Sequence, residues 1–180
     1  MLKILSLTFR NETLKTNNAR AIKLHVALSL IGLFSFIILG ESPQALIPLI
    51  LPIVGGSLIY IVCGFMFFAH TKERAYLSVL WLSVITFTAG VISALGHIIM
   101  MFVDPVNSDI VGFVASVSVG AAVLVNTVGM GILALFYEFG FNTSGILGFF
   151  ILILTPILPP LLLFLGLQLK VLFPDGDERN

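Results

Sequence analysis

Residues 76–103 read YLSVLWLSVITFTAGVISALGHIIMMFV, 28 residues without one Asp, Glu, Lys or Arg. A helix needs about 20 apolar residues to cross the hydrocarbon core of a bilayer. The run is continuous, whereas a membrane β-strand alternates polar and apolar positions over about ten residues. A membrane-crossing helix is the reading that fits.

Four more runs of this kind flank it: Leu24–Gly40, Ala45–Ala69, Ile110–Tyr137 and Gly145–Phe173. Short polar links separate them, at Glu41–Gln44, His70–Arg74, Asp104–Asp109 and, more weakly, Glu138–Ser144. The whole chain of 180 residues is 58% hydrophobic and only 10% charged, with a mean hydropathy of +1.13. A soluble domain carries about 25% charged residues, so this one would lack the polar surface to face water. The sequence predicts an all-α integral membrane protein, a bundle of about five transmembrane helices. Pro48 and Pro52 are expected to kink the second span, and Pro156, Pro159 and Pro160 the fifth. Residues 1–23 read as a cytoplasmic basic tail or a short interfacial helix, 24–173 as one transmembrane domain, and 174–180 as a polar tail.

Lys and Arg placement sets the expected orientation. Lys3, Arg10, Lys15, Arg20 and Lys23 precede the first span, and Lys72 and Arg74 lie in the second link. The first and third links hold none. The N-terminus and the second link are therefore expected in the cytoplasm. With five spans the C-terminus falls outside, and Lys170 and Arg179 oppose that placement.

Nine Lys+Arg balance nine Asp+Glu, so no basic surplus points to nucleic acid. Cys63 is the single cysteine, which excludes an intramolecular disulfide. Cys63 and His70 are seven residues apart, roughly 10 Å along a helix, too far to share a metal. His25 and His70 are close to one face of the membrane and would meet only across helices. Two such ligands are too few, so neither a metal nor a cofactor is expected. No phosphate loop, dinucleotide fingerprint or nucleophile elbow is present. Asn11-Glu12-Thr13 and Asn142-Thr143-Ser144 match the glycosylation pattern, but on the expected cytoplasmic side, and read as chance.

Inside the third span, Ser83, Thr86, Gly90, Ser93 and His97 recur at steps of three and four and so share a stripe. Gly90 and Ala94 form a small-xxx-small pair. In the fourth span Gly112, Ser116 and Gly120 repeat every four residues, with Asn126 close by the same face. Small residues let membrane helices approach, and hydroxyls bond across them. The favoured expectation is that the third and fourth spans pack together. The alternative is a polar cleft lined by Ser83, Thr86, Ser93, His97 and Asn126.

Every Asp, Glu, Lys and Arg falls in a link, a tail or a span end, which argues against a proton-driven carrier. Three function classes remain. The first is a non-enzymatic membrane protein acting through helix–helix contacts, with Gly112, Ser116, Gly120 and Gly90, Ala94 as faces for a protein partner or a second copy. The second is a small-solute permease or substrate-binding subunit of a transporter, resting on the polar stripe and the broken helices. The third is an intramembrane enzyme with Ser93 and His97, one helical turn apart, as nucleophile and base. The first is the expected one.

Overall fold

The computed structural model describes residues 8, 10–39, 46–69, 75–102 and 145–173, with isolated pieces at 113, 117–118, 131–132, 135–137 and 139–141. For 35–39, 46–49 and 51–52 the backbone alone is described. Among the described residues the secondary structure is entirely helical. The elements are α1 (Glu12–Leu39), α2 (Leu46–Phe67), a 3-10 turn (Ala75–Val79), α3 (Leu80–Phe102), α4 (Ile146–Leu154), a second 3-10 turn (Thr155–Ile157) and α5 (Leu158–Leu172). Among the described residues two helical stretches are long and apolar enough to cross a membrane, Ala75–Phe102 and Ile146–Leu172.

Helix α1 begins twelve residues before the apolar run, so residues 12–23 are helical and continuous with it. Asn11 starts it. Its side-chain oxygen accepts the Leu14 N–H at 3.2 Å, the bond of an N-cap to the third helical residue. Glu12 follows in the first turn, where the exposed N–H groups favour a carboxylate, and pairs with Lys15 at 3.5 Å. The Asn11-Glu12-Thr13 tripeptide is thus part of a helix start.

Helix α2 stays helical through Pro48 and Pro52. Pro48 lies in the first turn, where no N–H partner is required. The second run is thus one continuous helix, whereas the fifth is interrupted by a 3-10 turn. Pro156, Pro159 and Pro160 all lie buried at a 3-10 turn between α4 and α5. The Thr155 hydroxyl donates to the Ile151 carbonyl at 2.6 Å. The Leu152 carbonyl, which Pro156 cannot satisfy, lies against Gly90 of α3, where any Cβ would crowd it.

Three sets of contacts fix the directions. Asn17 meets Ala69, Arg20 meets Phe67 and His25 meets Tyr60, so α1 and α2 are antiparallel. Gly90 meets Pro156 and His97 meets Gly145, so α3 runs antiparallel to α4–α5. Gly64 abuts Leu163 and Gly166, and Lys170 reaches the Phe68 carbonyl, so α2 and α5 are parallel. The end of α5 therefore lies beside Arg20, at the basic end of the bundle. The main core sits near that end and joins Ala21, Tyr60, Phe68, Val79, Leu82, Leu163 and Leu167.

Candidate functional site

The densest polar cluster lies at the basic end, where α1 grips the connection between α2 and α3. Asn17 is fully buried, and its amide donates to the Ala69 carbonyl at 2.9 Å and the Ser78 hydroxyl at 3.0 Å. Its oxygen accepts the Ala69 N–H at 3.1 Å. Asn18, also buried, donates to the Leu77 carbonyl at 2.7 Å and accepts the Trp81 N–H at 2.9 Å. The pair thus supplies backbone partners where α2 has ended and α3 has just begun, the places where helices leave such groups unsatisfied. The Trp81 indole N–H donates to Thr8 at 3.3 Å, tying a residue before α1 to the same cluster.

Two cations close on the end of α2. Arg20 donates to the Phe67 carbonyl, and Lys170 to the Phe68 carbonyl at 3.4 Å. Both complement the negative end of the helix dipole. Beside them opens a cleft of about 530 Å³ between α1 and α2, with Arg20 and Lys23 on one wall and Cys63, Met66 and Phe67 on the other. Farther along, His25 Nδ1 shares a 2.6 Å hydrogen bond with the buried Tyr60 hydroxyl. His25 is thus engaged by α2, and His70, its expected partner, lies outside the described residues.

The hydroxyl stripe of α3 is directed into the bundle. Ser83 donates to the Val79 carbonyl at 2.9 Å and Thr86 to the Leu82 carbonyl at 3.0 Å, each within its own helix. Ser93 donates to the Ala89 carbonyl at 2.9 Å and the Ser118 carbonyl at 3.2 Å. His97 Nε2 lies 3.0 Å from the Gly145 carbonyl, and since that oxygen only accepts, Nε2 carries the proton. No hydrogen bond joins Ser93 to His97, so the nucleophile–base pair expected of an enzyme is not assembled.

Gly90 and Ala94 receive the last helical run, through Pro156 and Leu152, and are buried within the chain. Where α3 meets the fourth run, Gly96 and Ser93 abut Ser118, two residues beyond Ser116 and off the Gly112–Ser116–Gly120 series. Gly112, Ser116, Gly120 and Asn126 themselves lie outside the described residues. Among the described residues no group of three or more His, Cys, Asp or Glu side chains is placed to hold a metal.

Asn17, Asn18 and Tyr60 were not singled out by the sequence. The one available signal was the Asn17-Asn18 doublet, nearly two helical turns ahead of the apolar run. Comparison with protein-family models, curated proteins and solved structures finds no match.

Proposed function

We propose that this chain is a multi-pass integral membrane protein that works through helix–helix contacts, as a subunit or partner in a membrane assembly, without catalysing a reaction. The observation that carries the reading is the outward surface of α2. At Gly55 and Gly56 a Cβ would meet no atom of the described residues within 4 Å, and Val54, Leu58 and Ile59 beside them are exposed. A small-residue step in an apolar, outward face is what a second membrane helix packs against. The other outward faces are apolar as well, through Phe87, Ile92 and Leu95 of α3 and Phe150, Leu154 and Leu161 of α4–α5. A patch of this extent needs a bilayer or partner to cover it. The stripe from Ser83 to His97, by contrast, is bonded to backbone inside the bundle and offers a solute little.

In this reading α1, α2, α3 and α4–α5 each cross once, with the basic end in the cytoplasm. Lys170 then joins Arg20 and Lys23 on that side, and the conflict it raised under five alternating spans disappears. His97, toward the end of α3, meets Gly145, where α4 begins, at the opposite end of the bundle.

The test is native mass measurement after gentle solubilisation from the cell's own membrane, on the wild type and on Gly55→Leu/Gly56→Leu. The expected result is a larger complex for the wild type and the chain alone for the variant, with both equally folded. A wild-type chain recovered alone overturns the proposal.

A further inference from the structure

We propose that the cleft between α1 and the end of α2 binds the headgroup of an anionic phospholipid, with Arg20 and Lys23 on the phosphate and Leu24, Met66 and Phe67 along the first acyl carbons. This rests on the multi-pass reading above, which sets the cleft level with the cytoplasmic headgroups.

Charge is the first argument. Arg20 and Lys23 are three apart on α1 and so share a face. Both lie on the cleft. Among the described residues the one carboxylate is Glu12, which is engaged by Lys15, and no described carboxylate lines the cleft. Among the described residues Lys23 makes no ion pair. Arg20 spends one N–H on the Phe67 carbonyl, which holds the guanidinium in place and leaves the rest of its fork for phosphate.

The second argument is the opposite wall. Met66 and Phe67 are 60% and 58% exposed and Leu24 and Cys63 are half-buried, so the cationic rim passes directly into apolar surface. A free anion has no use for that wall, whereas a lipid presents a phosphate and a hydrocarbon chain in this order. The volume, about 530 Å³, also exceeds what a phosphate ion needs. Basic pockets at the cytoplasmic side of helix bundles suit anionic headgroups, because that leaflet carries them.

The experiment uses the full chain in mild detergent, titrated with dioleoylphosphatidylglycerol, dioleoylphosphatidylcholine or inorganic phosphate and read by native mass spectrometry. Phosphatidylglycerol is expected to be retained over phosphatidylcholine. Lys23→Gln, which leaves the Arg20–Phe67 bond intact, is expected to weaken it about fivefold, about 1 kcal/mol at about 1.4 kcal/mol per tenfold. Arg20→Gln/Lys23→Gln should weaken it further, and Lys15→Gln should not. Equal retention of the two lipids, or unchanged binding by Lys23→Gln, overturns the site. Displacement of phosphatidylglycerol by millimolar inorganic phosphate assigns it to a free anion instead. Alkaline carbonate washing of membranes separates the two readings. Release of the chain sinks the multi-pass reading, whereas retention with unchanged lipid binding in Lys23→Gln sinks only the lipid site.

Discussion

Lys170 of α5 donates to the Phe68 carbonyl just past the end of α2, at 3.4 Å, so the last helix finishes where the second does. Arg20, from the first helix, reaches the neighbouring Phe67 carbonyl. Cations from both ends of the chain thus meet at one helix C-terminus. Their energy is modest. Lys170 is partly solvated, and a charge at a helix end contributes about 0.3–1 kcal/mol. Lys170→Gln is accordingly expected to lower stability by less than about 1 kcal/mol, measured by denaturant unfolding in detergent. A much larger loss would mean that this contact anchors α5, against the view that the apolar α2–α5 seam does so.

The direction of α5 makes a sharper prediction about topology. In a Cys63→Ser background, a membrane-impermeant thiol reagent added to intact cells is expected to label Ser108→Cys and to miss both Thr71→Cys and Phe173→Cys. Labelling of Phe173→Cys from outside would restore the five-span arrangement and contradict the pairing of Lys170 with Phe68. Permeabilised cells provide the control that all three thiols are reactive.

Asn18 should matter far more than Lys170. Its amide bridges the Leu77 carbonyl and the Trp81 N–H, both on the α3 side of the connection, and it is buried. Asn18→Ala removes both bonds and strands buried backbone groups, each worth about 1–3 kcal/mol when left unsatisfied. A loss of about 2–4 kcal/mol is expected. Asn18→Asp, isosteric but with no N–H to give Leu77, should be as damaging. Stability within about 0.5 kcal/mol of wild type for Asn18→Ala would show that water reaches the junction and replaces the side chain.

These residues also mark where the sequence stopped being readable. The apolar run at Tyr76–Val103 became a helical stretch of nearly the same bounds, Ala75–Phe102, because length and lack of charge suffice to specify a long apolar helix. The break at Pro156 was legible for an equally local reason, the missing N–H. Asn17 and Asn18 were not, since hydropathy scores a buried, fully bonded amide like a solvated one. Lys15, Arg20 and Lys23 on the other faces of the same turns made the stretch look like a tail. The direction of α5 was hidden for a different reason. Gly90 and Ala94 announce a close helix contact but not with which helix, and the partner was α4–α5 through Pro156 and Leu152. For the polar stripe, sequence gave the shared face but not whether that face met water or backbone.

The α2–α5 seam yields the last prediction, in which two glycine sites on one helix should respond oppositely. A Cβ on Gly64 would overlap the Leu163 carbonyl, and one on Gly166 would overlap the Ile61 carbonyl. The obstacles are backbone atoms, which cannot turn aside as a side-chain tip would, so the helices must separate. Separation forfeits packing along the whole seam, including the fully buried Leu163 and Leu167. Gly64→Ala is therefore expected to destabilise the protein by about 1–3 kcal/mol, the usual range for overpacking, and Gly64→Leu by more. Gly55 lies on the same helix, and among the described residues nothing comes within 4 Å of the position a Cβ would take. There Ala gains up to about 1 kcal/mol of helix propensity over Gly with no clash, so Gly55→Ala should leave the isolated chain as stable or slightly more so. Unfolding of the purified chain in one detergent, with matched secondary structure by circular dichroism, compares the two directly. Equal stability for Gly64→Ala and Gly55→Ala would refute the close parallel packing of α2 on α5, and with it the common end of the two helices.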